Sequence, residues 1–219
     1  MGEEGSYKLD GHRLWHSSFD AEMLDNPKVI LDIGSYDFGD SIRFKRKFPD
    51  CQVFSIEMSK DNYDKFSPFA EEQGIHTFCL AICHKDGEIG YYQATNVDGV
   101  NAQSSILKPG EMYKKDYRSI VSHSEEKLFA QAMTLDTFAE QNCLTGVAVD
   151  LLHVDVEGAE YQVFLGMQKL RPKLIFAEFL FDGGWEGQAK FSDTMNLLQQ
   201  YGYELVQNLP HDKIFRLKS

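Results

Sequence analysis

The segment from 153 to 160 (HVDVEGAE) places acidic side chains where a buried strand gives way to a helix. On a strand, Asp155 and Glu157 would share one face with His153. Buried carboxylates are costly unless they are paired or functional. We therefore expect Asp155, His153 and Glu157 to be candidate catalytic residues, with Asp155 or a neutral His153 able to accept a proton. Glu157 could instead tie down neighbouring backbone, and Glu160 suits the N-terminus of the following helix.

A second candidate segment follows the strand-like run at 29–34 (VILDIG) and opens a helix. Gly34 would let a ligand approach the backbone, and the N–H groups of the turn could meet a carboxylate. Gly34 and Gly39 lack the intervening glycine of a dinucleotide fingerprint, so a pyrophosphate would be poorly held. The residues of this segment that we expect at a cofactor are Asp32, Gly34, Ser35, Tyr36 and Gly39, and we expect Asp155 to contact the same cofactor.

Glu57 ends the next strand-like run, 23 residues after Gly34. A carboxylate can accept hydrogen bonds from both hydroxyls of a ribose, and a ribose-binding acid is expected roughly 20 residues after such a glycine. Gly34 and Glu57 together therefore indicate an adenosine-containing ligand, with Met58 beside it. Leu80 and Ala81, in the third strand-like run, could receive an adenine edge, although ordinary core packing explains them as well.

Buried runs bounded by turn residues alternate with segments of helical period, which is typical of an α/β fold with a parallel sheet. The predicted strands are 29–34, 52–57, 76–83, 88–93, 132–135, 151–156, 173–179, 204–207 and 213–217. The predicted helices are 40–48, 59–73 with a break at Pro68, 136–142, 160–170 and 191–201. The link at 208–212 is too short for a helical crossover, so the last two strands must pair antiparallel.

Two segments fall outside this pattern. Residues 1–28 form an N-terminal extension that we expect to be helical or partly ordered, ahead of a single domain at 29–219. Between about 95 and 127, glycine, proline, serine, asparagine and mixed charge predict a lid or insert. Its Tyr113 and Tyr117, together with Trp185, would give an acceptor site aromatic walls.

Composition excludes several classes of protein. The 219 residues suit one domain with an elaboration, and 16 Phe and 10 Tyr exclude a disordered chain. A net charge of −12 argues against a nucleic-acid partner. No apolar run is long enough for a membrane helix or a secretory signal, although the first six residues fit the loose N-myristoylation pattern, which often matches by chance. The four cysteines, without a CxxC pair, suit a reduced compartment, so we expect a cytoplasmic protein whose oligomeric state stays open.

The terminal hairpin after five βα-type units resembles the seven-stranded sheet of the class I methyltransferases, which bind S-adenosylmethionine. More specifically, residues 151–160 (LLHVDVEGAE) resemble the signature of the FkbM-type methyltransferases. Supporting matches, in the same order as in that family, are 32–37 (DIGSYD), 81–87, 134–136 (TLD), 171–174 (RPKL) and Glu178, so the resemblance covers roughly 29–179. Two features depart from the family. His153 stands where the family usually has lysine, and the first glycine loop is one residue longer, through Phe38.

The resemblance implies an α/β class I methyltransferase (Rossmann-like) fold, a three-layer sandwich around a seven-stranded, mostly parallel sheet. It also implies S-adenosylmethionine as the cofactor and a hydroxyl acceptor on a sugar or a natural-product-like small molecule. Asp155 would then be the general base or the orienting acceptor for that hydroxyl. Asp155, Glu157 and Glu178 could form an oxygen-rich site for Mg²⁺ or Ca²⁺. Nothing in the spacing demands such a site, and metal is left out of the prediction.

Two other classes of protein stay open at this point. An NAD-dependent oxidoreductase could use a similar sheet, although the missing glycines and the terminal hairpin count against it. A catalytically silent methyltransferase-like domain could bind a partner through the segment at 95–127. His153 and the longer glycine loop are the features that this second alternative would explain.

Overall fold

A computed structural model of the chain describes residues 5–96, 103–111, 121–179 and 182–218. Its strands are β1 (Gly5–Leu9), β2 (His12–His16), β3 (Val29–Ile33), β4 (Gln52–Glu57), β5 (His76–Cys79), β6 (Ala81–Ile82), β7 (Gly87–Tyr91), β8 (Ala94–Asn96), β9 (Lys108–Pro109), β10 (Val121–His123), β11 (Leu128–Met133), β12 (Leu151–Val154), β13 (Leu174–Glu178), β14 (Trp185–Glu186), β15 (Tyr203–Asn208) and β16 (Asp212–Leu217). Its α-helices are α1 (Gly39–Lys47), α2 (Lys60–Glu72), α3 (Leu135–Gln141), α4 (Glu160–Leu165) and α5 (Phe191–Gln200), and a 3₁₀ turn spans Ala21–Met23.

Seven strands form the central sheet in the order β15-β16-β13-β12-β3-β4-β5. The ladders from β13 to β5 are parallel, whereas β16 runs antiparallel to both β13 and β15. The predicted mostly parallel sheet with an antiparallel C-terminal hairpin is therefore confirmed. The strand order reverses beside β3, and in such sheets ligands bind beyond the carboxyl ends of the strands at that point.

The two faces of the sheet carry separate hydrophobic clusters, which makes the molecule three layers thick. On β3, Leu31 and Ile33 belong to the cluster that includes Phe138 of α3 and Phe164 of α4. Ile30 points to the opposite cluster, which contains residues of α1, α2 and the N-terminal strands. This alternation follows from the two-residue period of a strand and explains why β3 is apolar throughout except at one position.

Two predicted strands end earlier in the structure. The run at 76–83 divides at Leu80: β5 stays in the central sheet, and β6 joins β11 and β7 in a second, three-stranded sheet. The run at 151–156 pairs only as far as Val154, so Asp155 already lies in the loop beyond β12. Side chains after Val154 therefore need not follow the alternation of the strand.

Pro68 does not break the second helix. The helix α2 runs through it without interruption, and Ser59 caps its N-terminus by accepting a hydrogen bond from the backbone N–H of Asn62. Tyr63 and Phe69, on either side of the proline, pack on the same hydrophobic cluster. Burial of apolar side chains before and after Pro68 offsets the backbone hydrogen bond that a proline removes.

The N-terminal extension, which we expected to be helical or partly ordered, contains a β-hairpin. The strands β1 and β2 pair antiparallel around Asp10 and Gly11, both of which have positive φ, at 49° and 86°. An Asp-Gly pair with this geometry is the preferred two-residue hairpin turn. The hairpin buries Leu14 in the cluster beside α1, so it packs on the domain that follows it.

The predicted insert carries short strands where it is described. The strand β8 pairs with β10, and β9 pairs with β14 through Trp185 and Pro109. Tyr113, Tyr117 and the first four residues of the N-terminal myristoylation pattern lie outside the described residues. Within the described ranges the longest helix, α2, has 13 residues, and no helix there has the length and apolarity to cross a bilayer.

Candidate active site

A cleft opens where the central strands end. Counting the space open to solvent, it measures about 510 Å³. Its walls come from the ends of β3, β4 and β12, from β6 and from the segment 103–111. The residues that line it are Ile33, Gly34, Ile56, Glu57, Met58, Leu80, Ala81, Ile82, Ser104, Ile106, Asp155, Val156, Glu157 and Ala159.

Glu57 lies at the carboxyl end of β4 with 6% of its surface exposed. Its Oε1 accepts a hydrogen bond from the backbone N–H of Ser59 at 2.7 Å, and its Oε2 accepts one from the N–H of Tyr36 at 2.9 Å. Burial nevertheless raises the pKa of Glu57 to about 7. Each carboxylate oxygen has two lone pairs, so Oε2 can still accept a hydrogen bond from a ligand in the cleft.

The backbone of the first glycine loop is occupied by internal hydrogen bonds. The N–H groups of Gly34 and Ser35 both donate to the carbonyl of Ile56, at 2.9 and 3.1 Å. With Tyr36 bound to Glu57, the N–H groups that were expected to meet a ligand carboxylate instead hold the loop against β4. The Ser35 hydroxyl lies 2.6 Å from that of Ser55, within the domain. Gly34 lines the cleft, whereas Ser35 and Tyr36 do not.

Gly39 lies under the N-terminal hairpin. A Cβ atom on this glycine would approach the carbonyl oxygen of Trp15 to 1.8 Å. The Tyr7 hydroxyl donates to the Gly39 carbonyl at 2.8 Å, and Asp37 accepts hydrogen bonds from the N–H groups of Trp15 and Gly39. The expected cofactor contact of Gly39 is therefore replaced by a packing role, because the hairpin covers this end of α1.

Apolar side chains form the rest of the cleft. Leu80 and Ala81 line it with Met58, as the sequence indicates, and each is at least partly buried. Ser104 and Ile106 also line it, and both lie in the predicted insert. A flat, largely apolar group bounded by Glu57 at one side would suit this surface.

His153 and Asp32 form a buried ion pair outside the cleft. They are neighbours across the β12–β3 ladder, and Nδ1 of His153 lies 2.7 Å from Oδ1 of Asp32. The imidazole also stacks on Phe176, with ring centroids 5.1 Å apart. Burial lowers the pKa of His153, but the hydrogen bond and the charge of Asp32 outweigh it and raise this pKa to about 9. This pKa favours the protonated imidazole at neutral pH, and the ring is not among the groups that line the cleft, so Asp155 is the better placed of the two proton acceptors considered above.

The expectation that His153, Asp155 and Glu157 share one strand face is wrong. His153 is part of β12 and points to the side of α1, whereas Asp155 and Glu157 follow the last paired residue of that strand. Glu157 has a left-handed backbone, with φ of 54°, which turns its side chain into the cleft. Asp32, the expected cofactor contact on β3, is fully buried and accepts a 2.6 Å hydrogen bond from Ser41.

Three carboxyl groups meet beyond the ends of β12 and β13. Oxygen atoms of Asp155, Glu157 and Glu178 lie within 4.8 Å of one another. Oδ1 of Asp155 is buried without a hydrogen-bond partner among the described residues. Burial is the main cause that raises the pKa of Asp155, with Asp40 and Asp212 adding to it.

Glu160 has the structural role that was considered for Glu157. Its Oε1 accepts a 2.9 Å hydrogen bond from the backbone N–H of Gly158, and burial raises its pKa to about 8. Trp185 covers the same turn, since a Cβ on Gly158 would lie 2.1 Å from its indole ring. The Ser105 hydroxyl donates to the Glu157 carbonyl at 2.8 Å, which ties the predicted insert to this turn.

The Methyltransferase FkbM domain family matches residues 32–205, which include the ion pair, the cleft and the three carboxyl groups.

The chain belongs to the FkbM methyltransferase family.

Individual relatives of this FkbM methyltransferase are distant. The chain is 25% identical over 198 residues to "2-O-methyltransferase NoeI" of Sinorhizobium fredii (strain NBRC 101917 / NGR234), covering 86% of this chain and 77% of the relative. A solved precorrin-6y C5,15-methyltransferase from Geobacter metallireducens matches 90% of this chain and 82% of its own, with 12% identity and a TM-score of 0.46. An O-methyltransferase family protein from Burkholderia thailandensis matches 88% and 52%, with 7% identity and a TM-score of 0.46.

The departure from the family at His153 keeps a basic side chain beside Asp32. The resemblance implies lysine at this position, and the raised pKa of His153 favours a positively charged imidazole at neutral pH. A fully buried carboxylate such as Asp32 would be strongly unfavourable without such a partner.

Proposed function

We propose that this methyltransferase uses S-adenosylmethionine to methylate a hydroxyl group of a sugar or of a natural-product-like small molecule. The observation that carries the proposal is that Glu57 and Asp155, at the ends of β4 and β12, line one cleft. Glu57 would bind the ribose of the cofactor and Asp155 the acceptor hydroxyl. The two carboxyl groups are close enough for the charge of Asp155 to raise the pKa of Glu57.

The residues in the cleft fit this cofactor. Glu57 retains acceptor capacity for a ribose diol, and Leu80, Ala81 and Ile106 offer an apolar surface to a purine. The concentration of carboxyl groups near Asp155 suits a positively charged sulfonium. When bound, the cofactor supplies a methyl group: the bond from the acceptor oxygen to this carbon forms as the carbon–sulfur bond breaks, and that bond's electron pair goes to sulfur.

Asp155 would receive the proton of the acceptor hydroxyl. Its Oδ1 is a buried acceptor without a donor among the described residues, and such atoms normally have a partner when a ligand is bound. A hydroxyl that donates to Oδ1 is oriented by that bond, and its proton passes to the carboxylate as the new bond to carbon forms. His153 would support this step only through its charge, because its ring faces α1.

The acceptor class rests on weaker similarity. The printed function of the relative in Sinorhizobium fredii is 2-O-methylation, and its identity to this chain is 25%. Among the groups that line the cleft, carboxyl groups outnumber basic side chains, so a polyhydroxylated acceptor finds hydrogen-bond acceptors and a phosphorylated one would be repelled. Together with the net charge of −12, this argues for a small molecule in preference to a nucleic acid.

Cofactor binding is the first test. Thermal shift and isothermal titration calorimetry with S-adenosylmethionine, S-adenosylhomocysteine and NAD should show stabilisation by the first two alone. Stabilisation by NAD alone would contradict the proposal in favour of an oxidoreductase. Absence of any shift would favour the catalytically silent domain.

Methyl transfer is the second test. Tritiated S-adenosylmethionine is incubated with a panel of methyl glycosides and phenolic glycosides, and tritium in the product is counted. Asp155→Asn should retain S-adenosylhomocysteine binding while losing about 100-fold or more of the rate, because a neutral amide cannot take up the proton. Unchanged turnover in this variant would remove Asp155 from the mechanism.

A further inference from the structure

Glu178 is the carboxyl group next to Asp155 across the sheet. The parallel ladder between β12 and β13 aligns Val154 with Ala177, so the residues that follow them, Asp155 just beyond β12 and Glu178 at the end of β13, lie side by side. Oxygen atoms of their carboxyl groups lie within 4.8 Å of each other. The register of the central sheet therefore brings the two groups together.

A hydrogen bond between two carboxyl groups contains one proton. An ionised carboxylate has only acceptor atoms, so one member of the pair must be protonated to donate. Two ionised carboxylates this close would repel each other, so a pair that keeps one proton is more favourable than a pair that keeps none. The protonated state is thus a consequence of the geometry at the ends of β12 and β13.

The surrounding charges reinforce a single proton on the pair. The titratable groups that face Asp155 from the elements packed around it are His153 on β12, Glu178 on β13, Asp40 on α1, Asp212 on β16, Glu57 on β4, Glu160 on α4, and Glu157 in the loop after β12. Of these, His153 alone can be positively charged, and its first partner is Asp32. One negative charge on the Asp155–Glu178 pair is compatible with this environment. A second negative charge would be repelled by the neighbouring carboxyl groups.

We propose that Glu178 is a positioning residue that shares one proton with Asp155 and holds the Asp155 carboxyl with Oδ1 available to the acceptor hydroxyl. The role of the pair toward the acceptor hydroxyl rests on the proposed function. The shared proton is a property of the protein without any ligand. In the resting state the pair has one proton and one negative charge. Taking up the hydroxyl proton converts it to a pair with two protons, and release of one proton to water restores it.

The test compares the number of protonated carboxyl groups in four proteins by infrared difference spectroscopy at neutral pH. They are the wild type, Glu178→Gln, Asp155→Asn, and the double variant. In each single variant the amide N–H group replaces the proton as donor, so the remaining carboxyl becomes ionised. We expect each single variant to lose one protonated carboxyl, and the double variant to lose one as well, because both substitutions remove the same proton.

Two results would overturn the proposal. No loss in either single variant means that both carboxyl groups are already ionised in the wild type. Losses that add to two in the double variant mean that each group has its own proton. Glu204→Gln, at an exposed glutamate on β15, serves as the matched control and should leave the signal unchanged.

Two further measurements separate this proposal from others. Excess Mg²⁺ should leave the wild-type signal unchanged, and its loss would show that a cation replaces the proton, which contradicts a shared proton. Calorimetry with S-adenosylhomocysteine should give Glu178→Gln an affinity within about 2-fold of the wild type, since this residue is not among those lining the cofactor cleft. If the wild type failed to bind S-adenosylhomocysteine, the proposed function would fail while the infrared comparison still decided the role of Glu178.

Discussion

The backbone of Gly34 lies directly against the carbonyl of Asp155. A Cβ atom on Gly34 would come within 1.7 Å of that oxygen, and the N–H of Asp155 donates to the carbonyl of Ile33 at 2.9 Å. The glycine is thus needed for the close approach of two strand ends, one of which carries the proposed proton acceptor. A ligand does not have to be invoked to explain it.

Replacing Gly34 with alanine should destabilise the protein severely. The new methyl group would collide with the Asp155 backbone, and φ of +85° is unfavourable for any residue with a Cβ. Urea denaturation should give a loss of about 3 kcal/mol or more. Gly146→Ala is the matched control, because Gly146 has φ of +75° with no atom within 4 Å of the place its Cβ would occupy, and it should lose only about 1–2 kcal/mol. Equal losses in the two variants would exclude the contact with Asp155 as the cause.

Replacing Glu57 with alanine should weaken cofactor binding. The variant would lack the hydrogen bonds that the Glu57 carboxylate makes to the ribose. This loss corresponds to about a 10- to 100-fold increase in the Kd for S-adenosylhomocysteine. Calorimetry measures this change, and circular dichroism checks that the variant is folded, because Glu57 also binds the N–H groups of Tyr36 and Ser59. The exposed Glu72 at the end of α2 gives the control variant Glu72→Ala, which should bind like the wild type. A folded Glu57→Ala protein with unchanged affinity would disprove the ribose contact.

The Asp32–His153 ion pair should show strong coupling in a double-mutant cycle. His153→Leu leaves a fully buried carboxylate without its cation and should cost about 3–5 kcal/mol of unfolding free energy. Adding Asp32→Asn removes that charge, so the double variant should lose much less than the sum of the two single losses. His153→Lys restores the cation and should be better tolerated than His153→Leu. Additive losses would mean that the two side chains do not interact energetically.

Stability of the ligand-free protein should fall as the pH rises from about 5.5 to 8.5. Burial raises the pKa of Glu160 to about 8 and that of Glu57 to about 7, so the folded state retains protons that the unfolded chain has released above its ordinary value of 4.5. His153 acts in the same direction between its ordinary pKa of 6.5 and its folded value of about 9. Each group contributes at most about 1.4 kcal/mol per pH unit within its own window.

Thermal denaturation across this pH range measures the effect. Glu160→Gln should reduce the slope of Tm against pH, because the amide oxygen still accepts from the N–H of Gly158 without binding a proton. The exposed Glu204→Gln should leave the slope unchanged. A Tm that rises over the range would contradict the raised pKa values.

Local patterns predicted most elements but not those controlled by distant contacts. The periodicity of β3, β4, β12 and β13 is visible in the sequence because both faces of each strand are buried. The hairpin at the N-terminus was missed although Asp10-Gly11 is a strong turn signal. The continuation of α2 through Pro68 depends on packing against the rest of the chain, and no local pattern contains that information.

The sequence predicted the location of the cleft at the strand ends and most of the residues that line it, but not all of their contacts. Gly34, Glu57, Met58, Leu80, Ala81, Asp155 and Glu157 line the cleft, as the sequence analysis expected of a site at the strand ends. Gly39 packs against the N-terminal hairpin, and the N–H of Tyr36 donates to Glu57, so neither residue lines the cleft. A backbone N–H binds the acceptor that the fold brings nearest. Glu178 was named as a motif residue and as a member of a possible metal site with Asp155 and Glu157, but its position directly beside Asp155 requires the register of two strands.

The sequence by itself determined the order of the strands of the central sheet and of the helices between them, the acids at the strand ends and the family to which the chain belongs. These features depend on residue types and spacing within short segments. Only the tertiary structure decided which of those polar groups face the cleft and which satisfy one another beneath it. The reason is physical: a buried charge or N–H group must find a partner, and the partner of His153 lies 121 positions away in the chain, on a neighbouring strand of the folded sheet.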